Sequence, residues 1–213
     1  MLEETRRFYE KIVMRKEDSK LPDSGEVPIT WIKIFYKEYP RLDQIALQEP
    51  MKQEEADNLS ERKSEREYSS PIDFRELSTI LNSCRILDKE SGRRTYPSAG
   101  ARYPVEIYPI AFNVDGLENG AYHYNIVRNS LELLWKTDLR KISGLIVSPF
   151  VSNPSAAIVL TSVMARSEVK YGAKAFPFSL IEAGHMGQNL TLAATGLNIG
   201  SCPIGGFVNE TLS

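Results

Sequence analysis

The segment from Pro177 to Leu197 constrains the fold more than any other part of the chain. Its apolar side chains recur at intervals of about 3.6 residues, which predicts one long helix. Gly196 or Asn198 is expected to end this helix, because both residue types tolerate the backbone that follows many helices. Small residues on it, such as Gly184 and Gly187, predict close packing against another helix across a dimer axis. The apolar positions are Phe178, Ile181, Met186, Leu190, Ala193 and Leu197.

Strand-like segments precede this helix and predict a central sheet. Residues 156–163, "AAIVLTSV", form a continuous apolar run, which is typical of a strand covered on both faces. Residues 104–114 form another strand, and 121–126 and 130–136 form a hairpin around "VRN". An amphipathic helix is predicted over 69–84, with Ser70 and Pro71 at its start. The predicted fold is α+β, with a central, mainly antiparallel sheet flanked by helices.

The composition divides the chain into two parts. Of its 213 residues, 42% are hydrophobic and 25% are charged, which are values of a globular protein. Residues 1–60 are interpreted as an N-terminal arm that lies against another body, because 48–67 is too polar to hold a core of its own. Residues 61–213 are expected to form the functional domain.

Charge, hydropathy and cysteine content exclude several classes. A net charge of -2 argues against a general nucleic-acid binder. No apolar run approaches the ~20 residues of a membrane span, and the first residues lack the apolar core of a secretory signal. Cys84 and Cys202 do not form a disulfide framework, so a cytoplasmic protein is expected. No metal site is expected, because His123 and His185 have no other ligand types at suitable spacing.

Three short motifs carry candidate chemistry. In "RKSEREY", Arg62, Ser64 and Arg66 alternate, so an extended backbone turns two guanidiniums and a hydroxyl toward one anion, such as a phosphate. The Pro97–Gly100 turn, "PSAG", lets backbone approach a ligand closely. Cys202–Phe207, "CPIGGF", offers backbone N–H groups to a ligand edge. Taken singly, these motifs also fit a solvated charged run, a simple turn and a simple loop.

The order of these motifs along the predicted elements resembles the FMN-dependent nitroreductase superfamily. The longer stretches "RRTYPSAGARYPVEIY", "KYGAKAF" and "LIEAGHMGQNLTLAATGL" resemble its SagB-type branch, the flavin oxidases of thiazole/oxazole-modified peptide pathways. The resemblance covers about Trp31 to Leu212. It implies a nitroreductase-like, homodimeric fold with FMN as the cofactor.

The resemblance also implies the cofactor-binding residues. One group holds the FMN phosphate and ribityl chain, the second reaches the flavin across a dimer interface, and the third places the amide of Gly205 or Gly206 at flavin N5. The first group is Arg62, Lys63, Ser64 and Arg66, the second is Pro97, Ser98, Ala99 and Gly100, and the third is Pro203, Ile204, Gly205 and Gly206. Arg93 and Arg94 lie beside the second group, and the sequence does not decide whether they contact the cofactor, the substrate or the partner subunit. It also does not decide whether His185 lines the flavin pocket or belongs to the core or an interface.

Lys170 and Tyr171 are the candidate catalytic residues. From the residues alone they are a surface lysine and a packing tyrosine. In SagB-type proteins such a pair is implicated in catalysis, and azoline oxidation needs a base, since a ring proton must leave while hydride goes to N5.

The expected function is therefore FMN-dependent dehydrogenation of thiazoline or oxazoline rings in a ribosomally made peptide. The alternatives are an NAD(P)H-dependent nitroreductase or flavin reductase, and a non-catalytic subunit of a peptide-modification complex. The chain ends at Ser213, so the final strand and C-terminal extension of such proteins are expected to be missing. Peptide recognition is expected from a partner, such as a cyclodehydratase, or from the arm.

Overall fold

The computed structural model describes residues 56–136 and 153–205, and the predicted arm lies outside this part except for its last residues. The helices are α1 (Ala56–Glu61), α2 (Phe74–Asn82), α3 (Ala165–Tyr171) and α4 (Ala175–Gly196). The strands are β1 (Ile72–Asp73), β2 (Ile86–Asp88), β3 (Arg93–Arg94), β4 (Val105–Ala111), β5 (Val114–Asp115), β6 (Gly120–Asn125), β7 (Ser130–Lys136) and β8 (Ala156–Ser162). The predicted boundary at residue 60 falls within α1.

The main sheet has four strands in the order β7–β6–β4–β8, and every neighbouring pair is antiparallel. Strands β4 and β8 pair along their whole length, from Val105 opposite Ser162 to Ala111 opposite Ala156. The predicted α+β architecture with an antiparallel sheet is confirmed. The expectation that β8 is covered on both faces is wrong for the described residues: its residues 156–160 are half-buried because they line a cavity.

The core lies between one face of the sheet and helices α2 and α4. Alternate residues of β4 and β6 point to this face, so their apolar side chains meet those of the helices. The side chains include Leu77, Ile80 and Leu81 of α2, Met186, Leu190 and Ala194 of α4, and Val105, Ile107, Tyr122 and Tyr124 of the sheet. Ile181, which the periodicity placed on the buried face of α4, is instead 56% exposed. Met186 is fully buried, so the core contact of α4 is concentrated in its second half.

The start of α2 and the end of α4 are both determined by local capping interactions. Helix α2 begins after Asp73, not near Pro71 as predicted, because Asp73 and Glu76 form a reciprocal capping box. Helix α4 ends as predicted at Gly196, and Asn198 has a left-handed φ of 56°. The N–H groups of Asn198 and Ile199 donate to carbonyls of the last helical turn, which satisfies them as in a Schellman motif.

The opposite face of the sheet carries an ion-pair network around His123. Its Nδ1 lies 2.9 Å from a Glu132 carboxylate oxygen and its Nε2 lies 3.3 Å from Glu106, which also pairs with Arg166. Partial burial lowers the pKa of His123, but the hydrogen bonds and charges of Glu132 and Glu106 outweigh it and raise the pKa above the ordinary value. None of the helices in residues 56–136 and 153–205 is long and apolar enough to cross a membrane.

We expect this network to make stability depend on pH. Because the folded pKa of His123 exceeds its unfolded value of about 6.5, the added stability is fully present below that pH and is lost as pH rises through the folded pKa. In urea unfolding, the free energy of unfolding of the parent should therefore exceed that of a His123→Gln variant. This difference should shrink as pH rises. A margin that grows with pH contradicts the assignment.

Candidate active site

The cationic motif and the glycine-containing C-terminal motif lie side by side. After α1 the chain becomes extended, and Ser64 forms a parallel bridge with Ser201. The N–H of Glu65 donates to the Ser201 carbonyl at 3.0 Å. Gly200 permits this approach, since a Cβ there would lie 3.0 Å from Cβ of Glu65. Two motifs that are far apart in sequence therefore meet in the fold.

A cavity of about 950 Å³ adjoins this junction, and we call it the large cavity. Arg62, Pro203 and Ile204 line it, together with residues 156–160 of β8 and the face of α4 that carries Gly184 and Gly187. A Cβ added at Gly184 or Gly187 would meet nothing within 4 Å, so this wall is open. The volume is at the upper end of the ~300–1,000 Å³ of pockets for small molecules and cofactors.

Four other described residues of the two motifs lie outside the lining of the large cavity: Lys63, Ser64, Arg66 and Gly205. The Lys63 ammonium pairs with Glu65 at 2.5 Å, and this hydrogen bond and charge raise the pKa of Lys63. Arg66 donates to the carbonyl of its neighbour Ser64 at 3.3 Å. Of the four predicted phosphate-side residues, the structure thus places Arg62 in the cavity wall. Gly205 is exposed outside that wall, and Gly206 lies outside the described residues.

The Pro97–Gly100 turn lies elsewhere in the chain and has unusual backbone geometry. Gly100 has a φ of 58°, and Ala101 and Tyr103 also have positive φ values of 52° and 47°. The Ser98 hydroxyl oxygen accepts a hydrogen bond from the Tyr103 N–H at 2.9 Å, which closes the turn. The exposed Gly100 is therefore held in a conformation that side chains disfavour.

Lys170 and Tyr171 rest on this turn. They are the last two residues of α3, which the left-handed Gly172 terminates with a φ of 57°. A Cβ added at Gly100 would overlap Oη of Tyr171 and lie 2.8 Å from Nζ of Lys170. The structure therefore brings the predicted catalytic pair and the predicted turn together within one chain, and the space left by the glycine is filled by the pair.

A second cavity of about 290 Å³, the small cavity, lies beside the pair. The turn contributes Pro97, Ser98 and Ala99 to its wall, and α4 contributes Phe178, Ile181, Glu182 and His185. The Tyr171 ring packs edge-on against Phe178, with 5.0 Å between ring centroids. His185 is exposed at this wall, and Arg93 is an exposed residue of β3.

The two cavities lie on opposite faces of α4. Residues 178, 181, 182 and 185 line the small cavity, whereas 183, 187, 190 and 194 line the large one. At about 100° of rotation per residue, these two sets are separated by roughly half a turn. Within one chain, Arg62 and the Pro97–Gly100 turn therefore line different cavities.

Glu182 and Arg94 are site residues that the sequence reading did not assign. The Glu182 carboxylate is buried, accepts a hydrogen bond from the Val105 N–H at 3.3 Å and shares the wall of the small cavity with Ser98, whose hydroxyl lowers the pKa of this carboxyl group. Burial raises the pKa of Glu182, opposed by these two groups and by the charge of Arg94. The sequence signal was a carboxylate four residues from both Phe178 and Met186, on an apolar helix face.

Arg94 lies behind the turn, where its guanidinium carbon sits 4.1 Å from the ring centroid of Tyr103. It also donates to the hydroxyl of Tyr96 at 2.7 Å. Its buried Nε has no hydrogen-bond partner among the described residues. Arg94, whose role the sequence did not decide, is therefore a half-buried residue that supports the turn.

Comparisons with known proteins agree with this architecture. The chain is 35% identical over 159 residues to the nitroreductase-like protein MJ1384 of Methanocaldococcus jannaschii, covering 73% of this chain and 80% of that protein. It is 30% identical to the microcin B17-processing protein McbC of Escherichia coli and 29% identical to the trifolitoxin-processing protein TfxB of Rhizobium leguminosarum. These matches span 45% of McbC and 29% of TfxB, less than half of each.

Two solved structures share the fold. A chain of the Escherichia coli microcin synthetase McbBCD complex, solved with truncated pro-MccB17 bound, has a TM-score of 0.70 at 22% identity, over 99% of this chain and 85% of that one. A nitroreductase-like protein of Ralstonia eutropha has a TM-score of 0.60 at 26% identity over 72% of each chain. A family model described as Nitroreductase family matches residues 59–212. The chain therefore belongs to the nitroreductase family.

Proposed function

We propose that this protein is an FMN-dependent oxidoreductase that dehydrogenates thiazoline or oxazoline rings in a ribosomally made peptide. The observation that carries the proposal is the contact of Lys170 and Tyr171 with the Pro97–Gly100 turn, because it joins two proton-transfer groups to a motif that the family uses at its flavin. The relatives McbC and TfxB, named for processing of microcin B17 and trifolitoxin, support a peptide substrate. The McbBCD complex supports a partner that presents the peptide, such as a cyclodehydratase.

The large cavity has the properties that an FMN site requires. Its volume suits a cofactor, and its α4 wall is open at two glycines. Its charged lining residues are Glu65, Glu67, Glu76 and Arg62, and Arg62 is the cation among them that is available for the phosphate. We propose that Lys63, Ser64 and Arg66 complete the phosphate side, and that Pro203, Ile204, Gly205 and Gly206 offer backbone to the ring edge. When bound, FMN supplies an acceptor for the hydride at N5.

We further propose that the active unit is a homodimer. Arg62 and the Pro97–Gly100 turn line cavities on opposite faces of α4, and in this proposal a second copy of the chain supplies the turn that faces each large cavity. Helices α3 and α4 expose apolar side chains, since Val169, Leu180 and Ile181 are exposed by 75%, 55% and 56% and Ile181 lines the small cavity. Exposed apolar surface of this kind is typical of an interaction site.

The chemistry assigned to the chain is removal of a proton. Conversion of an azoline ring to an azole removes one proton and one hydride from adjacent ring carbons, and the proton needs a base. Lys170 Nζ and Tyr171 Oη both lie next to Gly100, so both groups are close to the same point on the surface of the turn. In this proposal the pair takes the ring proton, and oxygen reoxidises the cofactor.

A nitroreductase or flavin reductase is the second candidate function, favoured by the match to 80% of the MJ1384 sequence. The test is to release the flavin from purified protein by heat, identify it by chromatography, and supply an azoline peptide. We expect FMN, and a peptide product lighter by two hydrogens. NADPH consumption with a nitroarene, and none of this product, would establish the second function. Protein that does not take up FMN would indicate a non-catalytic subunit.

A further inference from the structure

Glu182 is a buried carboxylate that the proposed chemistry does not use. Glu182 belongs to α4 and is only 2% exposed. A carboxyl group in such a position is costly unless hydrogen bonds compensate for the lost water. Its carboxylate accepts the Val105 N–H, at the start of β4, at 3.3 Å, and Ser98, within the Pro97–Gly100 turn, lines the same wall of the small cavity. Glu182 therefore ties the turn to both the long helix and the sheet.

Ser98 is the connecting group. Its oxygen accepts the Tyr103 N–H at 2.9 Å, which leaves its hydroxyl hydrogen available to the Glu182 carboxylate at the wall of the small cavity. The segment that Ser98 closes contains Gly100, Ala101 and Tyr103, all with positive φ. Two of these three are not glycine, so the conformation is disfavoured and requires support from its surroundings.

The supported turn is the surface on which Lys170 and Tyr171 rest, at Gly100. Within the described part of the chain, Glu182 forms no hydrogen bond with Lys170 or Tyr171, so its effect on them would pass through Ser98 and the turn. Arg94, which stacks on Tyr103, places a positive charge near the carboxylate and favours its ionised form. His185, on the next turn of α4, also lowers the pKa of Glu182.

We propose that Glu182 is a positioning residue that, through Ser98, holds the Pro97–Gly100 turn in the shape that seats Lys170 and Tyr171. This inference rests on the proposed function for its catalytic consequence, whereas the restraint on the turn is a property of the chain alone. Carboxylate and carboxamide oxygens both accept hydrogen bonds, so the restraint requires an acceptor at this position rather than a charge.

Limited proteolysis tests the restraint without cofactor or substrate. Trypsin can cut after the exposed Arg102, inside the restrained segment, and after the exposed Arg128, in the β6–β7 turn. We expect Ser98→Ala and Glu182→Leu to speed cleavage at Arg102 by about tenfold relative to Arg128, because local opening governs cleavage. Glu182→Gln should keep the ratio near that of the parent. A ratio that is unchanged in both Ser98→Ala and Glu182→Leu would overturn the proposal, as would equal acceleration at both sites.

Kinetics on the azoline peptide provides the second readout. We expect Ser98→Ala and Glu182→Leu to lower kcat by ~10²-fold with little change in KM, since small misplacement of catalytic groups has effects of this size. Glu182→Gln should recover most of the loss. Loss of kcat in Glu182→Gln as large as in Glu182→Leu would contradict positioning by an acceptor. A parent protein without azoline activity would refute the proposed function alone, because the Arg102 cleavage ratio still decides the restraint.

Discussion

Lys170→Ala and Tyr171→Phe are each expected to lower azoline dehydrogenation by ~10²–10⁴-fold, the usual contribution of a positioned acid or base. The substrate carbon must lose a proton as hydride departs, and these two side chains are the proton-transfer groups that adjoin the Pro97–Gly100 turn. Neither lines the large cavity, so the FMN content should stay at the parent level. The measurements are kcat on an azoline peptide, followed by mass, and flavin absorbance per chain.

Lys174→Ala provides the matched control. Lys174 is an exposed lysine in the short helical turn that follows α3, so its replacement removes the same charge from the same region. It should leave kcat unchanged. If Lys170→Ala and Tyr171→Phe oxidise the peptide at the parent rate, the pair is not the base. If all three variants lose activity equally, the effect is one of local charge or folding.

The elements with local signals were predictable from the sequence. The period and end of α4 follow from its own side chains, and the β6–β7 hairpin follows from two strand patterns around one turn. The start of α2 was misplaced because Ser70 and Pro71 imitate a helix start, whereas the capping box at Asp73 fixes the actual one. The start of α2 therefore depended on which of two nearby capping signals, Ser70–Pro71 or Asp73–Glu76, formed hydrogen bonds with the helix N-terminus.

The site was less predictable because its contacts join distant parts of the chain. Alternation predicted that Arg62, Ser64 and Arg66 face one anion, but local pairing of Arg66 with the Ser64 carbonyl leaves Arg62 at the large cavity. The small residues of "PSAG" were interpreted as space for a flavin. At Gly100 the space is taken by side chains from α3, and no periodicity within the turn encodes that contact.

Gly100→Ala is expected to be the most damaging single substitution in the turn. The new methyl group would overlap Oη of Tyr171 and approach Nζ of Lys170, so both groups must move. Displacement of this kind is expected to lower kcat by ~10²-fold or more. The added side chain also destabilises the fold, since an alanine with a left-handed backbone costs ~1–2 kcal/mol.

Gly92→Ala separates these two effects. Gly92 has a φ of 68°, close to the 58° of Gly100, but a Cβ there would meet nothing within 4 Å. Chemical denaturation should therefore show a loss of ~1–2 kcal/mol for Gly92→Ala, from backbone strain alone, and at least as large a loss for Gly100→Ala, where the overlap adds to the strain. Only Gly100→Ala should lose kcat. Equal kcat values for the two variants would mean that Lys170 and Tyr171 do not act from their place on the turn. A large kcat loss in both would mean that the effect follows stability, because strain is the one property that the two positions share.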